Sequence, residues 1–193
     1  MAEVVLFPHA QGLTDGLRSF ARRLEGAGHV VHLVDLYEGR TFDTLEAGID
    51  HAQSIGFEAL LDRGVAAAEG LPAPLVYLGF SLGVMPAQKL AETRPGAAGA
   101  VFLHACVPVE EFAPRWPADV PVHVHGMDRD PFFADEGDLD AARALVSGLP
   151  DGQGELFVYP GSGHLFTDDS LPDFDAEAAQ QVTRRVLDLL AGV

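Results

Sequence analysis

Short, nearly unbroken apolar runs alternate along this chain with longer stretches whose apolar residues recur every three or four positions. The first run, EVVLF (3–7), is rich in branched side chains and is followed by PHAQG, the pattern of a strand buried on both faces and then a turn. In LTDGLRSFARRLEGAG, Leu13, Leu17, Phe20, Ala21 and Leu24 form one helical stripe, with Thr14 or Asp15 near its start and Gly26 or Gly28 at its stop. Five further runs predict strands: HVVHLVDL (29–36), APLVYLGF (73–80), GAVFLHA (99–105), VPVHVHG (120–126) and GELFVYP (154–160). Helical spacing returns in GFEALLDRGVAAAEG, in the stretch after Ser81, in GDLDAARALVSGL and in the C-terminal DAEAAQQVTRRVLDLLAGV. Residues 37–53 keep no sustained period and predict a long loop with a short helical turn.

Strands that alternate with helices, each strand apolar throughout, imply a parallel sheet covered on both faces and joined by right-handed crossovers. The expected fold is therefore α/β, doubly wound, with a six-stranded parallel sheet and one domain over residues 1–193. The irregular CVPVEEFAPRWPAD is too short for a separate lid domain. Ligands of such sheets sit beyond the carboxyl ends of the strands, which directs attention to Pro8–Gly12, Ser81, Cys106, Asp128–Phe133 and Gly161–Phe166.

Composition narrows the partners. With 193 residues, 48% of them hydrophobic, the chain can bury one proper core and not two ordinary enzyme domains. Twenty-nine acidic against 12 basic side chains give a formal charge of -17, which repels phosphate backbones and anionic lipid, so neither nucleic acid nor membrane is an expected partner. Cys106 is the only cysteine, which rules out an internal disulfide and a thiolate cluster for zinc. MAEVVLFPHA lacks a basic leader and its apolar run is too brief for a signal core, so a cytoplasmic location is expected. No cofactor is expected, and the oligomeric state is not readable.

The chemistry gathers at the strand ends. Gly79-Phe80-Ser81-Leu82-Gly83 fits G-x-S-x-G between a strand and a helix, where a tight turn lifts the serine hydroxyl above the sheet edge. A serine hydroxyl needs a base to take its proton, and the base needs an acid to fix its tautomer. VYPGSGHLF supplies His164 after the last strand. HVHGMDRDPFF supplies Asp128 and Asp130 after the strand before, and Asp130 is preferred because Pro131 helps to fix it in a turn. An oxyanion would be met by the amides of Leu82 and Ala10. His9, Gln11, Cys106, Trp116 and Phe132 are candidates for lining a substrate pocket, although His9 and Gln11 serve equally well as caps of the following helix, and Cys106 as a small apolar filler. Phe112 and Phe133 are further aromatic candidates for the pocket wall. His104, His123 and His125 lie near strand ends but lack the spacing of a known ligand set, so no metal is assigned.

The motifs GFSLG, DPFF and GSGHLF, with HAQGLT in the first loop and VDLYEGRTF after the second strand, resemble the dienelactone hydrolase family of α/β-hydrolases nearly end to end. The resemblance implies a compact three-layer sandwich, a Ser81, Asp130, His164 triad and a serine hydrolase that cleaves a small or medium ester or lactone. A thioesterase or acyltransferase would use the same residues, and a silent small-ligand-binding protein would keep the fold without turnover. The chain departs from the family's pattern at three positions: Ser81 stands where the namesake enzymes carry cysteine, His9 where they carry glutamate, and Asp168 where they carry arginine. An acid at position 168 is expected to repel the carboxylate of a dienelactone. The chain also starts directly at EVVLF, without the antiparallel leading strands usual in the superfamily.

Overall fold

A computed structural model describes residues 1–193. The six apolar runs become six parallel strands: β1 (Glu3–Phe7), β2 (Val30–Leu33), β3 (Leu75–Phe80), β4 (Ala97–Leu103), β5 (Val122–Met127) and β6 (Gly154–Tyr159). They lie in the order β2-β1-β3-β4-β5-β6. The helices are α1 (Asp15–Gly26), α2 (Leu45–Ile55), α3 (Phe57–Glu69), α4 (Val84–Thr93), α5 (Pro131–Asp135), α6 (Asp138–Ser147) and α7 (Ala176–Ala191).

The two-residue period of the strands sorts the core into two layers. Val5, Phe7, Tyr77 and Phe102 point to the face covered by α2, α3, α4 and α6, where Leu60, Ala87, Leu90 and Leu145 meet them. Val4, Leu6, Val76 and Val101 point to the opposite face, where α1 brings Leu17, Phe20 and Leu24 and α7 brings Val182, Val186 and Leu190. All six residues of β3 are buried, as its unbroken apolar run requires of a central strand. The result is the expected three-layer sandwich. No helix is long and apolar enough to cross a membrane.

One expected element is corrected. Residues 37–53 are not a long loop: Thr44 caps α2, its side chain accepting the Ala47 amide at 3.2 Å, and the helix runs for 11 residues. The helix escapes a reading by apolar period because its buried face consists of Gly48 and Ala52, small residues that give close approach rather than a stripe of large side chains. The short α5 was likewise unpredicted.

This order makes β1 and β3 the neighbours at which the chain's direction of winding reverses, the place where a crevice opens above a doubly wound sheet. The loop after β1 and Ser81 after β3 both emerge there. The ends of β4, β5 and β6 follow along the same rim, in register through Phe80 with Leu103 and Leu103 with His125.

Candidate active site

The turn from β3 into α4 has little conformational choice. Ser81 adopts φ +48, a left-handed conformation uncommon for a residue with a side chain. A methyl group on Gly79 would stand 2.5 Å from the carbonyl oxygen of Gly83, and one on Gly83 would meet the Phe7 carbonyl and stand 2.6 Å from that of Pro8. Both glycines of the motif are thus required by the space around the turn. It holds Ser81 half-buried at the head of a three-residue 3-10 turn that leads into α4.

The serine Oγ lies 2.7 Å from His164 Nε2, and His164 Nδ1 lies 2.7 Å from Asp130 Oδ2. Asp130 is fully buried and caps α5, with Oδ1 accepting the Phe132 amide at 3.0 Å. Pro131 at the first helical position makes Asp130 the cap, and capping with one oxygen aims the other at the imidazole. A carboxylate at Nδ1 keeps the ring proton there, so Nε2 presents a lone pair to the serine hydroxyl. The His164 backbone amide donates to Asp173 Oδ2 at 3.2 Å, and the Phe132 ring packs 4.6 Å from the imidazole. Asp128, the other acid considered, is half-exposed and turned away: its Oδ1 accepts the Gly161 amide at 2.9 Å and steadies the turn before His164.

Ala10 sits in the tight turn after β1, where Gly12 N donates to His9 O at 3.0 Å, and the Ala10 amide makes no hydrogen bond within the protein. The Leu82 amide lies at the start of the 3-10 turn, where backbone donors lack an intrahelical acceptor. The Leu82 amide follows the serine directly, and the loop that carries Ala10 begins beside the same turn, where Gly83 packs against the Phe7 and Pro8 carbonyls.

The pocket candidates divide. Phe132 stands at the site, and Gln11 borders a cavity of about 220 Å³ beside His164, its Nε2 donating to the Phe42 carbonyl at 2.9 Å. His9 does not line the pocket. It is fully buried behind the loop, with Nε2 2.9 Å from Asp168 Oδ2 and Nδ1 accepting the Gln11 amide at 3.2 Å. Cys106 is a core residue whose thiol is pushed up by burial, then by Asp138 and Glu92 nearby. Trp116 packs on Phe102 and donates to the Val120 carbonyl at 2.7 Å; it borders a separate cleft of about 620 Å³ against α6, away from Ser81. Phe133 is likewise core.

The expectation for Asp168 also changes. The carboxylate is 1% exposed, so it cannot face a substrate. Two of the three departures from the family pattern, His9 and Asp168, are in fact one contact between side chains 159 positions apart. Sequence reasoning found each alone and missed that they are partners. It also missed Asp43, Leu171 and Asp173 as walls of the cavity, and Asp138, whose carboxyl accepts the Cys106 amide at 3.0 Å and is raised by burial to about 6. No periodic signal marks any of these, because each lies in a loop or at a helix start.

The strand-end histidines do not gather into a ligand set. His104 bonds Thr167 Oγ1 at 2.7 Å, and His125 Nδ1 bonds the Tyr159 hydroxyl at 3.0 Å while its ring stacks on Phe157. Burial, ahead of neighbouring histidines, holds both imidazoles well below the usual range.

Residues 1–193 match the family model described as the dienelactone hydrolase family. Among solved structures, the protein named m3DLH aligns with a TM-score of 0.75 at 24% identity, covering 100% of this chain and 86% of its own. The dienelactone hydrolase of Anabaena variabilis aligns with a TM-score of 0.68 at 18% identity, with 100% and 86% coverage. P91, a dienelactone hydrolase-like promiscuous phosphotriesterase from metagenomic libraries, aligns with a TM-score of 0.71 at 21% identity, again with 100% and 86% coverage. No curated protein matches the sequence.

Proposed function

The chain belongs to the dienelactone hydrolase family, and from that premise we propose that it is a serine hydrolase that cleaves a small or medium ester or lactone through an acyl-Ser81 intermediate. The observation that carries this reading is the pair of 2.7 Å contacts running from Ser81 Oγ through the His164 ring to Asp130.

His164 Nε2 takes the hydroxyl proton as Ser81 Oγ adds to the substrate carbonyl. Asp130 keeps the ring in the productive tautomer and stabilises the imidazolium that forms. The carbonyl oxygen, now negatively charged, accepts the amides of Ala10 and Leu82. Collapse of the adduct breaks the bond to the leaving oxygen, which receives the proton from His164; for a lactone, that oxygen stays attached to the acyl group as a hydroxyl. Water then gives a proton to His164, its oxygen adds to the acyl carbon, and Ser81 leaves with the proton returned. The half-buried serine, and the cavity of about 220 Å³ lined by Leu165 and by the Asp173 that holds the His164 amide, favour small or medium acyl groups over long chains.

A fluorophosphonate probe tests the reading directly. It should label Ser81 in the native protein, and Ser81→Ala should abolish labelling and lower p-nitrophenyl ester turnover by about 10⁴- to 10⁶-fold while the protein stays folded. Native protein that is folded yet neither labelled nor active on esters or lactones would overturn it.

A further inference from the structure

Behind the relay lie two buried side chains that the proposed chemistry does not use. His9 precedes Ala10 on the loop after β1; Asp168 follows His164 on the segment after β6. They are 0% and 1% exposed, and they meet at 2.9 Å. The protonation of each is fixed by its partners. Because His9 Nδ1 accepts the Gln11 amide, the ring proton sits on Nε2 and is donated to Asp168. Asp168 accepts from every side: Oδ2 also takes the Thr14 hydroxyl, while Oδ1 takes the Ser170 amide at 2.9 Å and the Ser170 hydroxyl at 2.6 Å. Burial pushes this carboxyl up, but donation from His9, Ser170 and Thr14 outweighs it and holds the group below its ordinary range. Burial lowers His9, with Asp168 acting the other way. The contact is thus a neutral imidazole donating to an ionised carboxylate, a charge-assisted bond in a dry setting.

The pair also joins two loops at the site. On the first loop, the His9 carbonyl accepts the Gly12 amide at 3.0 Å and the Gln11 amide donates to His9 Nδ1 at 3.2 Å, so the peptides on both sides of Ala10 are held. On the second segment, Asp168 is packed so tightly against the start of α1 that its Oδ1 occupies the space a methyl group on Gly16 would need. A shift of one loop relative to the other stretches the bond between them.

We propose that His9 and Asp168 are a positioning pair that fixes the Ala10 amide relative to Ser81 by tying its loop to the segment carrying His164. This rests on the serine hydrolase reading, in which the Ala10 amide receives the oxyanion. Such donors act only when held in place before the charge develops, so a loop free to drift by half an ångström loses much of their effect.

Two substitutions separate the bond from the space it fills. His9→Asn keeps an acceptor near the Gln11 amide but is too short to reach Asp168, whereas His9→Gln extends an amide donor toward the carboxylate. We expect His9→Asn to lower kcat by about 10- to 100-fold with KM within about threefold, and His9→Gln to recover a substantial part of the loss. Hydrogen–deuterium exchange should rise in His9→Asn in both segments, residues 8–12 and 164–170, and return toward native in His9→Gln. A native enzyme that labels at Ser81 and whose His9→Asn form keeps native kcat would overturn the pairing and leave the hydrolase reading standing. If the native protein shows no activity, the hydrolase reading fails, and exchange alone judges the pair: a rise in both segments supports the tie, and an unchanged 164–170 segment overturns it.

Discussion

Asp130 has two acceptor oxygens and two tasks, capping α5 with one and holding the His164 ring with the other. Asparagine at this position would keep the cap, because its carbonyl oxygen can accept the Phe132 amide. Its amide nitrogen would face Nδ1 as a donor, and the ring proton would move to Nε2, where it meets Ser81 instead of accepting from it. Asp130→Asn is therefore expected to fold normally and lose about 10³- to 10⁴-fold in kcat. Asp128→Asn still accepts the Gly161 amide and should stay within about twofold of native turnover. Steady-state kinetics on the two variants check this, and equal losses in both would remove Asp130 from its role. The sequence favoured Asp130 over Asp128 only through Pro131 as a turn-fixing neighbour, and the structure shows that turn to be the start of α5, with Asp130 as its cap. The bond between His9 and Asp168 was not legible, since no local pattern announces a contact across 159 positions. The physical lesson is that residues are readable where backbone geometry constrains their neighbours, and unreadable where only tertiary packing does.

At the scale of elements the same division holds. Strands β1, β3, β4 and β5 were legible because burial on both faces leaves a nearly unbroken apolar signature, the edge strands β2 and β6 because they keep short apolar runs although only partly buried, and α1 and α7 because each buries a stripe of large side chains. Helix α2 was hidden because it packs through Gly48 and Ala52. That packing has a use: the missing side chain at Gly48 lets α2 lie against the peptide joining Ala10 to Gln11, since a methyl group there would collide with the Ala10 carbonyl and come within 3.0 Å of the Gln11 amide nitrogen. Helix α2 is thus the outer wall of the loop that carries Ala10. Gly48→Ala should cost about 1–3 kcal/mol by overpacking and lower kcat together with the melting temperature, as the helix or the loop gives way. Gly70→Ala, in a right-handed backbone conformation with nothing within 4 Å of the added carbon, serves as the control and should leave turnover unchanged. Melting curves and turnover on both variants decide it; a Gly48→Ala enzyme with native kcat would show that α2 does not brace the loop.

For the molecule as a whole, charge matters more than shape. The formal charge of -17 leaves a negative field over the surface, and the cavity lined by Leu165 and Asp173, neighbours of His164, does not offset it locally. The cavity beside His164 is bordered by Asp43 and Asp173, the adjoining groove adds Asp15, and no lysine or arginine lines either. The sequence led to the expectation of repulsion from Asp168, but that carboxylate is sealed against His9, so repulsion of an anionic substrate falls to Asp43, Asp173 and the net charge instead. The contrast between p-nitrophenyl butyrate and the p-nitrophenyl hemiester of succinic acid isolates the effect, because the two differ chiefly in a terminal carboxylate. At low ionic strength kcat/KM for the anionic ester should be about fivefold to tenfold lower, consistent with a carboxylate approaching others through a largely aqueous path. Raising salt from about 10 to 300 mM shortens the screening length from about 30 Å to below 8 Å and should close most of that gap, with the neutral ester nearly unaffected. Asp43→Asn should narrow the gap at low salt without changing turnover of the neutral ester. Equal turnover of the two esters at low salt would mean that the acidic mouth does not select, and that the acyl pocket is approached from another side.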